Sequence, residues 1–121
     1  MKSNLTREEA FELLKKYNKD SFHIQHALTV EGVMKWYAKE LGFEAEYLKV
    51  DHEGFVDLVD LKAKLRPDTI MVSVMAVNNE IGTIEPISEI AKIVKANGNT
   101  LFHVDAIQAY GKIPVNIKDG I

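Results

Sequence analysis

The chain has 121 residues, 46% of them hydrophobic, and 15 Lys and Arg against 18 Asp and Glu, for a formal net charge of −3. That length closes about one core, and the acidic balance lacks the basic stripe of nucleic-acid-binding proteins, so nucleic acid is not an expected partner. No apolar run reaches the ~20 residues of a membrane helix and "MKSNLTREEAFELL" lacks the apolar stretch of a signal peptide, which makes a cytoplasmic domain without membrane contact the expectation. The absence of cysteine excludes disulfides, thiolate metal sites and a thiol nucleophile among these residues and says little about compartment.

The first third reads as helix. Asn4 or Thr6 can cap a segment whose Ala10, Leu13, Leu14 and Tyr17 keep helical spacing, and "YNKDS" breaks it with turn-prone side chains. Asp20 or Ser21 can start a second, longer helix with Ala27, Val30, Met34, Tyr37 and Leu41 as its apolar stripe, and Gly42 suits the left-handed residue that ends it. After Gly42 the period changes. "FEAEYLKV" alternates loosely and suits a strand, "DLVDLKAKLR" suits a short helix begun by Asp57 and stopped near Pro67, and "TIMVSVMAV" is apolar on both faces, as a central parallel strand must be. Pro86 fits the first turn of "PISEIAKIVKAN", with Ile87, Ile90, Ala91 and Val94 on one face and Gly98 closing it; "TLFHVDA" is the next strand and "KIPVNI" an edge strand, because its proline cannot donate to a ladder. The spacing therefore predicts an α/β fold: a mainly parallel sheet with crossover helices, preceded by two N-terminal helices.

A strand, a loop and helix, and a second strand make one crossover, so the carboxyl ends of "TIMVSVMAV" and "TLFHVDA" share one edge of the sheet, where ligands of open parallel sheets bind. Asn78, Asn79 and Glu80 leave the first strand at that edge, and Asp105 and Gln108 leave the second. A carboxylate without a basic neighbour in sequence is costly to bury unless a protonated or hydrogen-bonding group faces it. A pyridinium nitrogen is one such partner. The alternative is local: Asp105 caps the turn after its strand, Asn78 and Asn79 satisfy their own loop, and Gln108 lies in solvent.

Residues 71–117, "MVSVMAVNNEIGTIEPISEIAKIVKANGNTLFHVDAIQAYGKIPVNI", closely resemble the cysteine desulfurases, pyridoxal-phosphate enzymes of the class V aminotransferase family, and "YLKVDHEGFVDLVDLKAKLRPDTI" is similar to the stretch that precedes them there. The resemblance covers about residues 44–121, and "VNNEIG" with "HVDAIQ" carries it. It implies pyridoxal phosphate as cofactor, Asn79 near its phenolic oxygen, Asp105 opposite its ring nitrogen and Gln108 as an amide bonding the phenolic oxygen. It also implies that these residues alone lack turnover, because the family's cofactor lysine, phosphate-binding threonine and cysteine nucleophile fall outside the matching stretch, and Lys112 does not match that lysine. No residue of this chain is therefore assigned a catalytic role.

Residues 1–43 resemble something else. "LTREEAFELLKKYNKDSFHIQHALTVEGVMKWYAKELG" is similar to the opening helices of HD-domain hydrolases, in which the helix would supply a metal ligand at His26. The adjacent His-Asp pair that completes such a site has no counterpart, since "HVD" separates His103 from Asp105, so no metal site is expected. "IQHALTVEGVMKWYAKELGF" also resembles, out of register, the desulfurase stretch whose histidine stacks on the cofactor ring. The HD-like match fits the helices better. The expectation is a single compact domain that joins an HD-like segment, 1–43, to a desulfurase-like segment, 44–121, as a chimera. A partial cysteine desulfurase is the leading reading, a recombined structural domain the second and an HD-type phosphohydrolase fragment the third. A small molecule is the expected ligand, and open sheet edges favour a homo-oligomer.

Overall fold

The computed structural model describes residues 6–17 and 21–119. The chain divides into two compact units, with the boundary between Tyr47 and Leu48.

The upstream unit is helical. Helix α1 spans Arg7–Tyr17 and opens with a reciprocal cap, in which the Glu9 N–H donates to Thr6 Oγ1 at 3.2 Å and the Thr6 N–H donates to Glu9 Oε2 at 2.7 Å. Two helix-end donors are satisfied in that exchange. Helix α2 spans Ser21–Glu40 and ends as Gly42 allows: at φ +77° the chain reverses, the Gly42 N–H donates to Lys39 O at 3.1 Å and the Phe43 N–H to Ala38 O at 2.7 Å. That pair of bonds is a Schellman motif, which needs a left-handed residue at its bend. In the expected stripe of α2, Met34, Tyr37 and Leu41 are exposed, and the side chains of Ala27 and Val30 lie outside those described.

The downstream unit is α/β. Helix α3, Leu58–Lys64, begins because the Asp57 carboxylate accepts the N–H groups of Val59 and Asp60. Strand β1, Met71–Met75, leads through helix α4, Ile87–Lys95, to strand β2, Leu101–Asp105. The two strands are parallel, with Met71 opposite Leu101 and Met75 opposite Asp105. Leu61 of α3 and Ile90 and Val94 of α4 pack with Val72 and Val74 of β1, and Phe102 and Val104 join them. Because alternate residues of a strand point to opposite faces, this core covers one face of the sheet. Asn97 ties the far end together: its Nδ2 donates to Arg66 O at 2.7 Å and to Thr100 Oγ1 at 3.0 Å. Thr100 Oγ1 in turn donates to Thr69 O at 2.9 Å.

Three sequence expectations require correction. "FEAEYLKV" is not a strand: residues 43–49 are irregular, and Val50 makes only an isolated antiparallel bridge to Val56. An extended segment needs a ladder partner for its backbone groups. Among the described residues the sheet has only β1 and β2, and Lys49 is instead held by its neighbours, its N–H donating to Asp60 Oδ2 at 2.9 Å and its carbonyl accepting from Asp57 N. Among the described residues "KIPVNI" likewise has no ladder partner, and it continues into a short 3-10 turn, Ile117–Asp119. "TIMVSVMAV" is a strand over residues 71–75, but its two faces differ, since Val72 and Val74 are buried while Met71 is 45% exposed and Leu101 beside it 67%. Among the described residues no helix is long and apolar enough to cross a membrane.

Candidate functional site

The strand register decides where the polar loop falls. Met75 is opposite Asp105, and the Ala76 N–H donates to Asp105 O at 2.8 Å, so the segment after β1 and the segment after β2 leave the sheet from one edge. Beyond Ala76 the chain folds back on itself through an antiparallel bridge between Val77 and Ile84. Inside this loop the Asn78 N–H donates to Thr83 O at 2.9 Å, the Gly82 N–H donates to Asn78 O at 3.0 Å, and Asn78 Oδ1 accepts from the N–H groups of Glu80 and Ile81 at 2.9 and 3.2 Å. Asparagine does this well because its short side chain reaches the backbone two residues on. Gly82 supplies the left-handed bend, at φ +75°. The loop presents Asn79, which is exposed and donates from Nδ2 to Glu80 Oε1 at 3.1 Å.

Asp105 ends β2 on the sheet face that the core leaves open, two residues beyond His103, whose Nδ1 lies 2.7 Å from Ser73 Oγ on the neighbouring strand. One carboxylate oxygen of Asp105, Oδ1, accepts the Ile107 N–H at 3.0 Å. The chain then coils through tight turns, with Ala109 fully buried as its anchor and the Tyr110 N–H bonded to Ala106 O at 2.7 Å. Gln108 is half-buried on this turn, and its Oε1 accepts from Lys112 Nζ at 2.9 Å. Asn79, Asp105 and Gln108 thus all belong to segments at one edge of the sheet. Lys112 is paired with Gln108 at the surface. The local roles foreseen for Asn78 and Asp105, loop support and turn capping, are both present as well.

Sequence reasoning missed Glu85. It is 9% exposed, its N–H donates to Ala76 O at 2.9 Å, and its Oε2 accepts the Val56 N–H at 3.1 Å from a turn 29 residues upstream. Burial pushes the Glu85 carboxyl above its ordinary value, the Val56 bond opposes that shift, and the charge of Asp51 adds to it. A glutamate between Ile84 and Pro86 was the available signal, since a charged side chain in an apolar setting needs a partner. Beside it, Ile84, Pro86, Ile113 and Val115 line a groove of about 300 Å³. Among the described residues no group of three or more His, Asp or Glu side chains could hold a metal ion. The side chain of His26 lies outside those described.

The family described as aminotransferase class-V is matched over residues 16–120. Among curated proteins the chain is 57% identical over 83 residues to "Cysteine desulfurase IscS" of Dictyoglomus turgidum, covering 69% of this chain and 21% of that protein. It is 55% identical over 78 residues to "Cysteine desulfurase, mitochondrial" of Candida albicans, covering 64% of this chain and 16% of that one. Among solved structures, a "NIFS-LIKE PROTEIN" superposes with a TM-score of 0.68 at 44% identity, covering 74% of this chain and 24% of the other. The chain thus spans about a fifth of the length of the curated relatives it matches. The class-V match includes only the last two residues of α1, Lys16 and Tyr17, but all of α2, upstream of the junction that the two resemblances suggest.

Proposed function

The chain belongs to the aminotransferase class-V family, and from that premise we propose that its α/β unit is part of the pyridoxal-phosphate floor of a cysteine desulfurase-like protein, which removes sulfur from L-cysteine. The observation that carries this reading is the register of β1 and β2, because Met75 opposite Asp105 brings the Asn79 loop and the Asp105–Gln108 turn to one edge of a parallel sheet, where such folds bind ligands.

The side chains suit the cofactor chemically. Asp105 uses Oδ1 for the Ile107 N–H, and among the described residues its second oxygen carries no bond, which leaves it for a protonated ring nitrogen. Lys112 occupies Gln108 Oε1, so the two Nε2 hydrogens of Gln108 remain to donate to an anionic oxygen. Asn79 would turn its amide from Glu80 to the same oxygen. When bound, pyridoxal phosphate supplies an electron sink. The part of these residues is to keep the ring nitrogen protonated, through Asp105, and to donate hydrogen bonds that orient the ring, through Gln108 and Asn79. The 121 residues contain no cysteine to accept sulfur, so they are proposed to bind without turnover when alone. A cytoplasmic setting belongs to the same proposal.

The test is a titration of the purified chain with pyridoxal phosphate. An absorbance band of bound cofactor is expected in the parent chain and should be lost in Asp105→Ala; no band in the parent chain overturns the reading. One observation favours a second reading, a structural domain without a ligand: Asn78 and Asp105 both satisfy their own backbone. That reading predicts a melting temperature unmoved by the cofactor. For residues 1–43 the HD-like alternative predicts metal-stimulated phosphatase activity that falls in His26→Ala, and the class-V match from residue 16 is a competing claim on the same helix.

A further inference from the structure

We infer that the turn at residues 51–56 is a buttress for the candidate cofactor loop, with Glu85, Thr83 and Gly54 as positioning residues that hold the Asn78–Asn79 bend in place. The inference rests on the proposed cofactor reading only for what the loop is held ready to do. The contacts themselves are independent of it.

The buttress is rigid by its own bonds. Asp51 Oδ1 accepts the N–H groups of Glu53 and Phe55 at 2.9 and 3.0 Å, the Asp51 N–H donates to Phe55 O at 3.0 Å, and the Gly54 N–H donates to Asp51 O at 3.0 Å. Val50 and Val56 bridge across its base.

Three contacts of different chemistry join it to the loop after β1. Glu85 reaches across from the far end of the loop to accept the Val56 N–H. Thr83 Oγ1 donates a hydrogen bond to Glu53 O. At Gly54 the approach is closest, because a Cβ there would lie 2.5 Å from Ile81 Cδ1 and 3.1 Å from Thr83 Oγ1. Residues 81, 83 and 85 therefore all lean on one turn about thirty positions earlier in the chain.

That support has a purpose in the geometry. Asn79 sits at the tip of a loop that closes on itself through the Asn78–Thr83 bond and the Val77–Ile84 bridge and returns to β1 through the bond from Glu85 N–H to Ala76 O. A loop tied only to its own strand opens locally at low free energy. A binding side chain must be held within a fraction of an ångström to be useful. A buried carboxylate is costly unless it is bonded, and here its bond spans the gap between turn and loop.

Amide hydrogen exchange on the full chain tests the inference without cofactor. In Glu85→Ala, the N–H groups of Asn78, Ile81 and Gly82 are expected to exchange about tenfold faster than in the parent chain, the scale of one lost hydrogen bond, while those of Ile90 and Val94 in the core keep their rates. Glu85→Gln retains an acceptor and should restore the slow exchange. Loop rates unchanged in Glu85→Ala, or loop and core rates raised by one common factor, would overturn the positioning role. If Glu85→Ala does not fold, Thr83→Val removes only the bond to Glu53 and is expected to accelerate the same loop amides selectively; an unchanged loop overturns the inference there too. Pyridoxal phosphate added to the parent chain then separates the two claims, since a silent titration with selective loop exchange sinks the cofactor reading and leaves the buttress standing.

Discussion

Replacing Gly54 with alanine separates backbone strain from the contact that braces the candidate loop. Gly54 has φ +87°, and an L side chain in left-handed backbone costs ~1–2 kcal/mol. Lower chain entropy of alanine in the unfolded state returns ~0.4–1 kcal/mol, so strain alone leaves a net loss of roughly 1 kcal/mol. Gly98 provides the control: its φ is +88°, and a Cβ added there meets nothing within 4 Å. At Gly54 the new methyl also falls 2.5 Å from Ile81 Cδ1, so the Ile81 side chain must leave its position. An off-rotamer side chain costs ~0.5–1.5 kcal/mol, and Thr83 Oγ1 at 3.1 Å must also give slightly. Gly54→Ala is therefore expected to lose about 1 kcal/mol more than Gly98→Ala. Urea denaturation of the two variants, fitted with a shared slope, measures that difference. Equal losses would mean that turn and loop do not press on each other, and would refute the buttress argument at its closest contact.

Other outcomes follow from the same structure. Asp57→Ala removes the cap of α3 and should cost about 1 kcal/mol, with Asp57→Asn recovering most of it; thermal melts of the pair check this. Ile90→Ala opens a cavity at a side chain with 0% exposure and should cost about 2–5 kcal/mol, read as a lower urea midpoint. Burial raises the Glu85 carboxyl above 4.5, opposed by the Val56 N–H and reinforced by Asp51. Its stabilising contribution is therefore complete below 4.5 and is lost as pH rises through the raised folded value. Glu85→Gln keeps the acceptor without the charge, so its stability relative to the parent chain should climb across that window toward neutral pH, and a relative fall would contradict the sign. In the cofactor titration, Asp105→Asn should weaken the bound band much as Asp105→Ala does, because an amide cannot hold a protonated ring nitrogen as a carboxylate can; an unchanged band would remove Asp105 from the site.

Much of the site was legible from one local fact, that two apolar runs joined by a helix end in polar turns. The order of β1, α4 and β2 placed the carboxyl ends together, and the structure sets Met75 against Asp105. The motifs "VNNEIG" and "HVDAIQ" pointed to the family before any contact was known. What stayed hidden was the partner of each polar group. Asn78 turned out to hold its own loop through Glu80 and Ile81, and Gln108 meets Lys112; neither pairing has a signature beyond short spacing. Glu85 was overlooked because its partner is a backbone N–H 29 residues away, which no periodicity records.

The amino-acid sequence by itself determined where helices begin and end, because those decisions are local. Thr6 and Glu9 cap α1, Gly42 ends α2, and Asp57 starts α3, each through bonds to residues within a few positions. Tertiary structure alone decided which extended segments became strands, since a ladder needs a partner from elsewhere in the chain. "TLFHVDA" found one in β1, while "FEAEYLKV" and "KIPVNI" found none among the described residues. It also decided which face of the sheet is covered and that the 51–56 turn meets the loop after β1, because both depend on long-range contacts whose free energy is gained only once distant residues are brought together.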